Sequence, residues 1–230
     1  ESALLDAKMQ IEEDEANSIL VGGVDENGEY TTSLFKLNGR IKADNTAPYD
    51  VLTSKTSGAV YGEGASFFVL ENEKKETTYA QLVDVEIKNE LQEDEVESEI
   101  IEFLKLNKLE ISDIDAIILG FNGDVTFDSY YKILMENAFA NTPQIYYKHL
   151  CGEYNTASAF GLWTGSKIIK TQTIPDLIKV NSIEKPAYNT ILLYNQLNGK
   201  EPVAMSWIYT QQPLQVLQAV YGLAHAKDID

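Results

Sequence analysis

Apolar positions along this chain follow two rhythms: helical stripes spaced by three and four residues, and short continuous runs typical of buried strands. Ala3, Leu4, Ala7 and Ile11 share one helical stripe over residues 3–16, and Glu12, Glu13, Asp14 and Glu15 mark its solvated end. Residues 18–25 read as a short buried strand closing on a Gly22-Gly23 turn. The next thirty residues are polar and poorly periodic, with turns at Asn27-Gly28 and Asn38-Gly39. A glycine-rich bend over 57–64 then enters a strand of bulky residues at 65–71, and 79–88 predicts another strand.

In the second part, Val96, Ile100, Ile101 and Leu104 form the inner stripe of a helix over 93–106, with acids opposite. Strands are expected at 115–120 and 144–148, helices at 130–139 and 156–170, and a turn at Phe121-Asn122-Gly123-Asp124. Residues 190–195 and 203–209 predict a hairpin across Asn198-Gly199, and 213–226 an amphipathic tail helix. Strand–helix alternation with apolar strands means α/β, with mixed, mostly parallel sheets covered on both faces. The chain divides into residues 1–90, 91–210 and a tail at 211–230.

Composition narrows the function. A net charge of -18, with Arg40 the only arginine, repels phosphate backbones and offers no polybasic patch to anionic lipid, so no nucleic-acid partner is expected. The single cysteine excludes an intrachain disulfide and a cysteine-rich metal site, and suits a reducing, cytoplasmic compartment. No apolar run is long enough for a membrane span. His149 and His225 lack metal spacing, and nothing implies a cofactor. The chain begins with Glu1 almost directly inside a helical pattern, so an upstream segment is expected.

The candidate chemistry gathers at residues 147–161, where Lys148, His149, Cys151 and Glu153 run from a strand end through a glycine into a helix start. Cys151 reads as a small buried hydrophobe. The sharper reading makes it a nucleophile, with strand alternation placing it and His149 on one face. Lys148 and Glu153 form either a structural ion pair or part of a pocket. Gly62-Glu63-Gly64 reads as a backbone device allowing positive φ and close packing, since it lacks the strand-before, helix-after context of a phosphate loop.

Several of these segments, in this order, resemble the β-ketoacyl synthases of the thiolase superfamily. They are the helix followed by Val21-Gly22-Gly23-Val24-Asp25-Glu26; Pro48-Tyr49-Asp50; Gly62-Glu63-Gly64-Ala65 before a strand ending Leu70-Glu71; the Gly120–Asp124 loop followed by a helix; and Lys148, Gly152, Ala157 and Gly161. The resemblance implies a thiolase-like, layered αβαβα fold and a homo- or heterodimer with a ketoacyl synthase. It also implies acyl carrier protein as a partner, and a nucleophilic cysteine a few residues before Glu1, in the missing N-terminal segment. Carrier proteins of the family are acidic, so a chain at -18 needs its positive docking patch elsewhere.

The chain departs from the family pattern at three places. The Gly120–Asp124 loop has neither the threonine pair nor the nearby histidine of the family. Glu153 occupies a position where the family has a histidine that donates to a developing enolate, and a carboxylate has the wrong charge for that task. Asn195 to Lys200 replaces a glycine-rich turn. The expectation is a catalytically deficient, chain-length-factor-like subunit of fatty acid, polyketide or polyene biosynthesis. Lys148 and Glu153 would be its catalytic-site remnants, with Phe121, Asn122 and Asn155 lining the pocket. The alternative is a divergent active synthase whose nucleophile lies upstream of Glu1.

Overall fold

The computed structural model describes residues 1–43, 50–88 and 91–196 in full, and the backbone of three strands beyond them. In chain order the elements are α1 (Ser2–Glu12), β1 (Ser18–Asp25), α2 (Glu29–Leu37), β2 (Glu63–Glu71), β3 (Gln81–Lys88), α3 (Val96–Leu106), β4 (Ala116–Leu119) and α4 (Ser129–Glu136). There follow β5 (Gln144–Tyr146), α5 (Lys148–Cys151), α6 (Ala157–Thr171), β6 (Ile191–Gln196), β7 (Ala204–Thr210), β8 (Val216–Val220) and β9 (Ala224–His225).

Two sheets result. The first has the order β1-β2-β8, with β9 also on β2, and is antiparallel; the second runs β3-β7-β6-β4-β5. In the second, β4 pairs in parallel with β5 and β6, while β7 is antiparallel to both β6 and β3. The second sheet is therefore mixed and the first antiparallel; among the described strands parallel pairing is confined to the two sides of β4, less than the mostly parallel pairing expected from the apolar runs. Helix α4 lies between β4 and β5, and α6 between β5 and β6, which supplies the crossover connections that parallel pairing requires.

Helices α1 and α6 form the layer between the sheets. Leu4, Ala7 and Ile11 of α1 and Leu162, Ile168 and Ile169 of α6 share one core with Val21, Phe68, Ile118 and Leu193. The opposite face of the second sheet, carrying Ile117, Leu119, Leu192 and Tyr194, packs on α3 and α4 in a second core. Strand alternation does the dividing: successive residues of β4 and β6 point into different cores. On the first sheet, the outward face of β1 leaves Leu20 and Val24 each 64% exposed.

Four readings from the sequence change. Gly22 and Gly23 do not end β1; they lie inside its ladder opposite Phe67 and Ser66, where a Cβ would collide with those residues or with Thr156. Residues Glu29–Leu37, read as irregular, form α2, whose Tyr30, Leu34 and Leu37 are exposed. The strand expected at 144–148 stops at Tyr146, and α5 follows as one helical turn closed by Gly152 at φ 73°. The tail expected as a helix instead contributes β8 and β9, both antiparallel to β2. Its period alone did not separate helix from strand, and the outer edge of β2 offers it a ladder of backbone hydrogen bonds. The hairpin of β6 and β7 forms as expected, from Ile191↔Tyr209 to Gln196↔Ala204. Its Asn198-Gly199 turn lies outside the described residues, as do Pro48 and Tyr49.

Candidate functional site

The α5 turn hangs beyond the end of β5 and is zipped to the chain just before β2. Glu153 N–H donates to Val60 O at 2.9 Å, and Gly62 N–H donates to Glu153 O at 3.0 Å. Gly62 is required at this crossing, because a Cβ there would meet the Cys151 carbonyl. Gly62-Glu63-Gly64 thus serves close packing as expected, but neither glycine adopts the positive φ expected of it.

That arrangement drives the Glu153 side chain inward. Lys148 Nζ lies 2.7 Å from Glu153 Oε2, with the two side chains 1% and 5% exposed. Asn122 Nδ2 donates to the same oxygen at 2.6 Å. Asn122 is held in turn: its Oδ1 accepts the Asp124 N–H at 3.0 Å, and Gly123 turns the loop at φ 80°. Three of the five residues singled out from the sequence, Lys148, Glu153 and Asn122, therefore meet in one buried constellation. Oε2 thus accepts from both Lys148 and Asn122.

The other two lie elsewhere. Phe121 is buried beside Tyr131, ring centroids 4.7 Å apart, within the α3–α4 core. Asn155 faces β1, where its Nδ2 donates to Asp25 Oδ1 at 3.1 Å. Asp25 Oδ2 also accepts the Thr156 N–H at 2.7 Å and the Thr156 hydroxyl at 2.6 Å. Asp25 thereby satisfies a donor at the start of α6, the task of a capping carboxylate.

The Cys151–His149 pairing does not form. In α5 the two residues diverge: His149 stacks on Tyr146 at 3.8 Å and its Nε2 meets Leu177 O at 3.0 Å. Cys151 is fully buried, and burial pushes its thiol up to about 12. A thiol protonated at neutral pH is a packing group, not a nucleophile.

Sequence reasoning missed the polar shell behind this constellation. Lys42 Nζ is wrapped by Ser54 Oγ, Thr56 O and Thr56 Oγ1, each at 2.9 Å, and by Gly123 O at 2.8 Å. Burial lowers its pKa, against the attraction of Asp124 and Asp128. Tyr147 hydroxyl donates to Asn195 Oδ1 at 3.2 Å, and Tyr131 hydroxyl accepts the Gln196 N–H at 2.9 Å. Burial and the Glu153 charge raise Tyr61 to about 12. These partners sit far away in sequence, at no motif spacing. Among the described residues no group of three His, Cys, Asp or Glu could hold a metal ion, and no helix is long and apolar enough to cross a membrane.

No protein-family model matches the chain, and no curated protein matches it. Solved structures do. "The ishigamide ketosynthase/chain length factor" aligns with a TM-score of 0.71 at 19% identity, over 92% of this chain and 58% of that one. A β-ketoacyl synthase from Burkholderia phymatum STM815 gives 0.69 at 19% identity, over 92% and 59%. The oxazolomycin ketosynthase domain of Streptomyces albus JA3453 gives 0.74 at 14% identity, over 92% and 44%. The chain has a ketosynthase-like fold. It spans less than two thirds of the length of these structures. At such identity the likeness establishes fold alone, and the α1–α6 layer between an antiparallel and a mixed sheet is the part of it described above.

Proposed function

We propose that this chain belongs to a ketosynthase-like subunit that has lost decarboxylative condensation. It would serve, as a chain-length factor does, beside an active synthase in fatty acid, polyketide or polyene biosynthesis. The observation that carries this is Glu153. It stands where the resemblance calls for a neutral histidine donor, and it is locked as an acceptor by Lys148 and Asn122. A developing enolate oxygen placed there would face negative charge in a poorly solvated site, which opposes the reaction instead of assisting it.

Further support comes from the neighbours: one is titled as a ketosynthase/chain length factor, another as a type II PKS acyl-carrier protein in complex with its ketosynthase. On this reading the partners are an active ketosynthase, an acyl carrier protein and an N-terminal segment that covers the open side of β1, where Leu20 and Val24 are exposed. The division into a remainder of one thiolase-like half, residues 1–90, and a second half, 91–210, belongs to the same proposal. A divergent active synthase is the second reading, favoured by the retained Lys148 and Gly152.

The test incubates the complete protein with malonyl carrier protein, alone and with its co-purifying synthase, and follows carbon dioxide release and product length. Release only with the synthase, with product length set by which subunit is paired, is the expected result. Condensation at ordinary synthase rates by the protein alone, with an acyl adduct on its upstream segment, would sink the proposal in favour of the second reading. A synthase equally active and equally selective without the subunit would leave it as an assembly scaffold.

A further inference from the structure

The loop from Gly120 to Asp128 delivers Asn122 to Glu153, and it ends on a carboxylate that is buried without full compensation. Asp128 is 5% exposed, and its Oδ1 has no hydrogen-bond partner among the described residues. The carboxyl group accepts the backbone N–H of Asn122, the residue whose side chain reaches Glu153. Its own backbone N–H is tied to Asp124 O at 3.0 Å, and its carbonyl accepts the N–H groups of Tyr131 and Lys132 at 3.2 Å. The group therefore joins the first turn of α4 to the backbone of Asn122.

The charges facing Asp128 come from four segments. Asp124 lies on the loop itself, Lys132 on α4, Lys148 on α5 and Lys42 on the chain after α2. Two of these lysines are committed: Lys148 to Glu153, and Lys42 to its ring of oxygens. Ionised Asp128 would compete with Glu153 for Lys148 and with the oxygen ring for Lys42. A neutral carboxyl makes no such demand and keeps its bond from the Asn122 N–H. Leaving an ionised oxygen unpaired at this depth is costly, so burial favours the protonated acid.

We propose that Asp128 is the positioning residue for the Asn122–Glu153–Lys148 constellation, and that it holds the loop in place only while it carries a proton. Burial raises its pKa from the usual carboxylate range to about 7, with Asp124 adding to the rise and the Asn122 N–H, Lys132 and Lys148 opposing it. The linkage has a definite sign. The folded chain keeps this proton over a range in which the unfolded chain has lost it. The stabilisation is complete below about pH 4, declines as pH rises, and is gone above about pH 7. The constellation is thereby gated in the neutral range, independently of whether it supports any reaction.

Amide hydrogen exchange of residues 121–127 in the full chain tests this at about pH 5.5 and about pH 8.5, after correction for the intrinsic exchange rate. Protection in the parent protein should fall about tenfold or more across that range, while Asp128→Asn, which mimics the protonated acid, stays protected at both values. An equal fall in Asp128→Asn, or no fall in the parent, overturns the proposal. Should Asp128→Asn fail to fold, the carboxyl carbon of Asp128 can be titrated by NMR in the parent. A midpoint near neutrality that coincides with shifts of the loop amides upholds the proposal, and a midpoint below about 5 overturns it. Loop protection is read without carrier protein or synthase, so its failure is distinct from failure of the condensation assay.

Discussion

Lys42 and Lys148 are two buried lysines on either side of the Asn122 loop, and they are accommodated in different ways. Lys148 faces a full countercharge, with Glu153 Oε2 at 2.7 Å. Lys42 is wrapped by hydroxyl and carbonyl oxygens from Ser54, Thr56 and Gly123, while Asp124 and Asp128 act on it at longer range. The oxygen ring ties three stretches of chain together and reads as architecture. The ion pair is the feature on which the proposed loss of condensation rests.

The largest effect should come from splitting the pair. Lys148→Met strands an ionisable carboxylate among buried groups and is expected to cost about 3–5 kcal/mol in chemical denaturation. Lys148→Met combined with Glu153→Leu should recover most of that loss, because replacing both partners with apolar groups removes the desolvation penalty. If the single and double variants are equally unstable, the pair is not a matched unit.

Next is the oxygen ring. Lys42→Met leaves the Thr56 and Gly123 carbonyls without their ammonium donor and should cost about 1–3 kcal/mol. No single second-site change at Ser54, Thr56 or Gly123 should rescue it, since these acceptors are main-chain and hydroxyl oxygens from separate segments. Rescue by a single neutralising change at Asp124 would show that charge, not wrapping, holds Lys42, and the contrast would collapse.

A smaller loss, about 1 kcal/mol, is expected for Asp25→Ala, which removes the cap on α6 and frees Asn155. Denaturation midpoints check the size, and unchanged thermal behaviour of Lys148→Met in the Asp25→Ala background would confirm that the two sites add independently. Smallest is Cys151→Ala, a loss of about 1 kcal/mol or less from packing, with no effect on any carrier-protein-dependent activity. Loss of such activity would return Cys151 to consideration as a reactive thiol.

Much of the fold was legible in the chain. The inner stripe of α1, the apolar runs of β4 and β6, and the β6–β7 hairpin follow from side-chain periodicity, because burial imposes that period directly. The misreadings share a cause. Gly22-Gly23 reads as a turn until the neighbouring strand is present, and glycine serves close approach as readily as chain reversal. The tail reads as a helix until the edge of β2 is available to it. Within the site, Lys148 and Glu153 are five residues apart, and their pairing could be anticipated; the remaining contacts could not.

By itself the sequence determined the α/β class, the acidic surface, and the carboxylate at position 153 between Gly152 and the start of α6. Only the tertiary structure decided that Asn122 joins that carboxylate, that Asn155 turns away to Asp25, that Cys151 and His149 part company, and that Lys42 and Asp128 stand behind the loop. The physical reason is range. Periodicity and turn chemistry act over a few residues, so they are written locally. Hydrogen-bond partners of a buried charge are chosen by which distant segments the packed layers bring within about 3 Å.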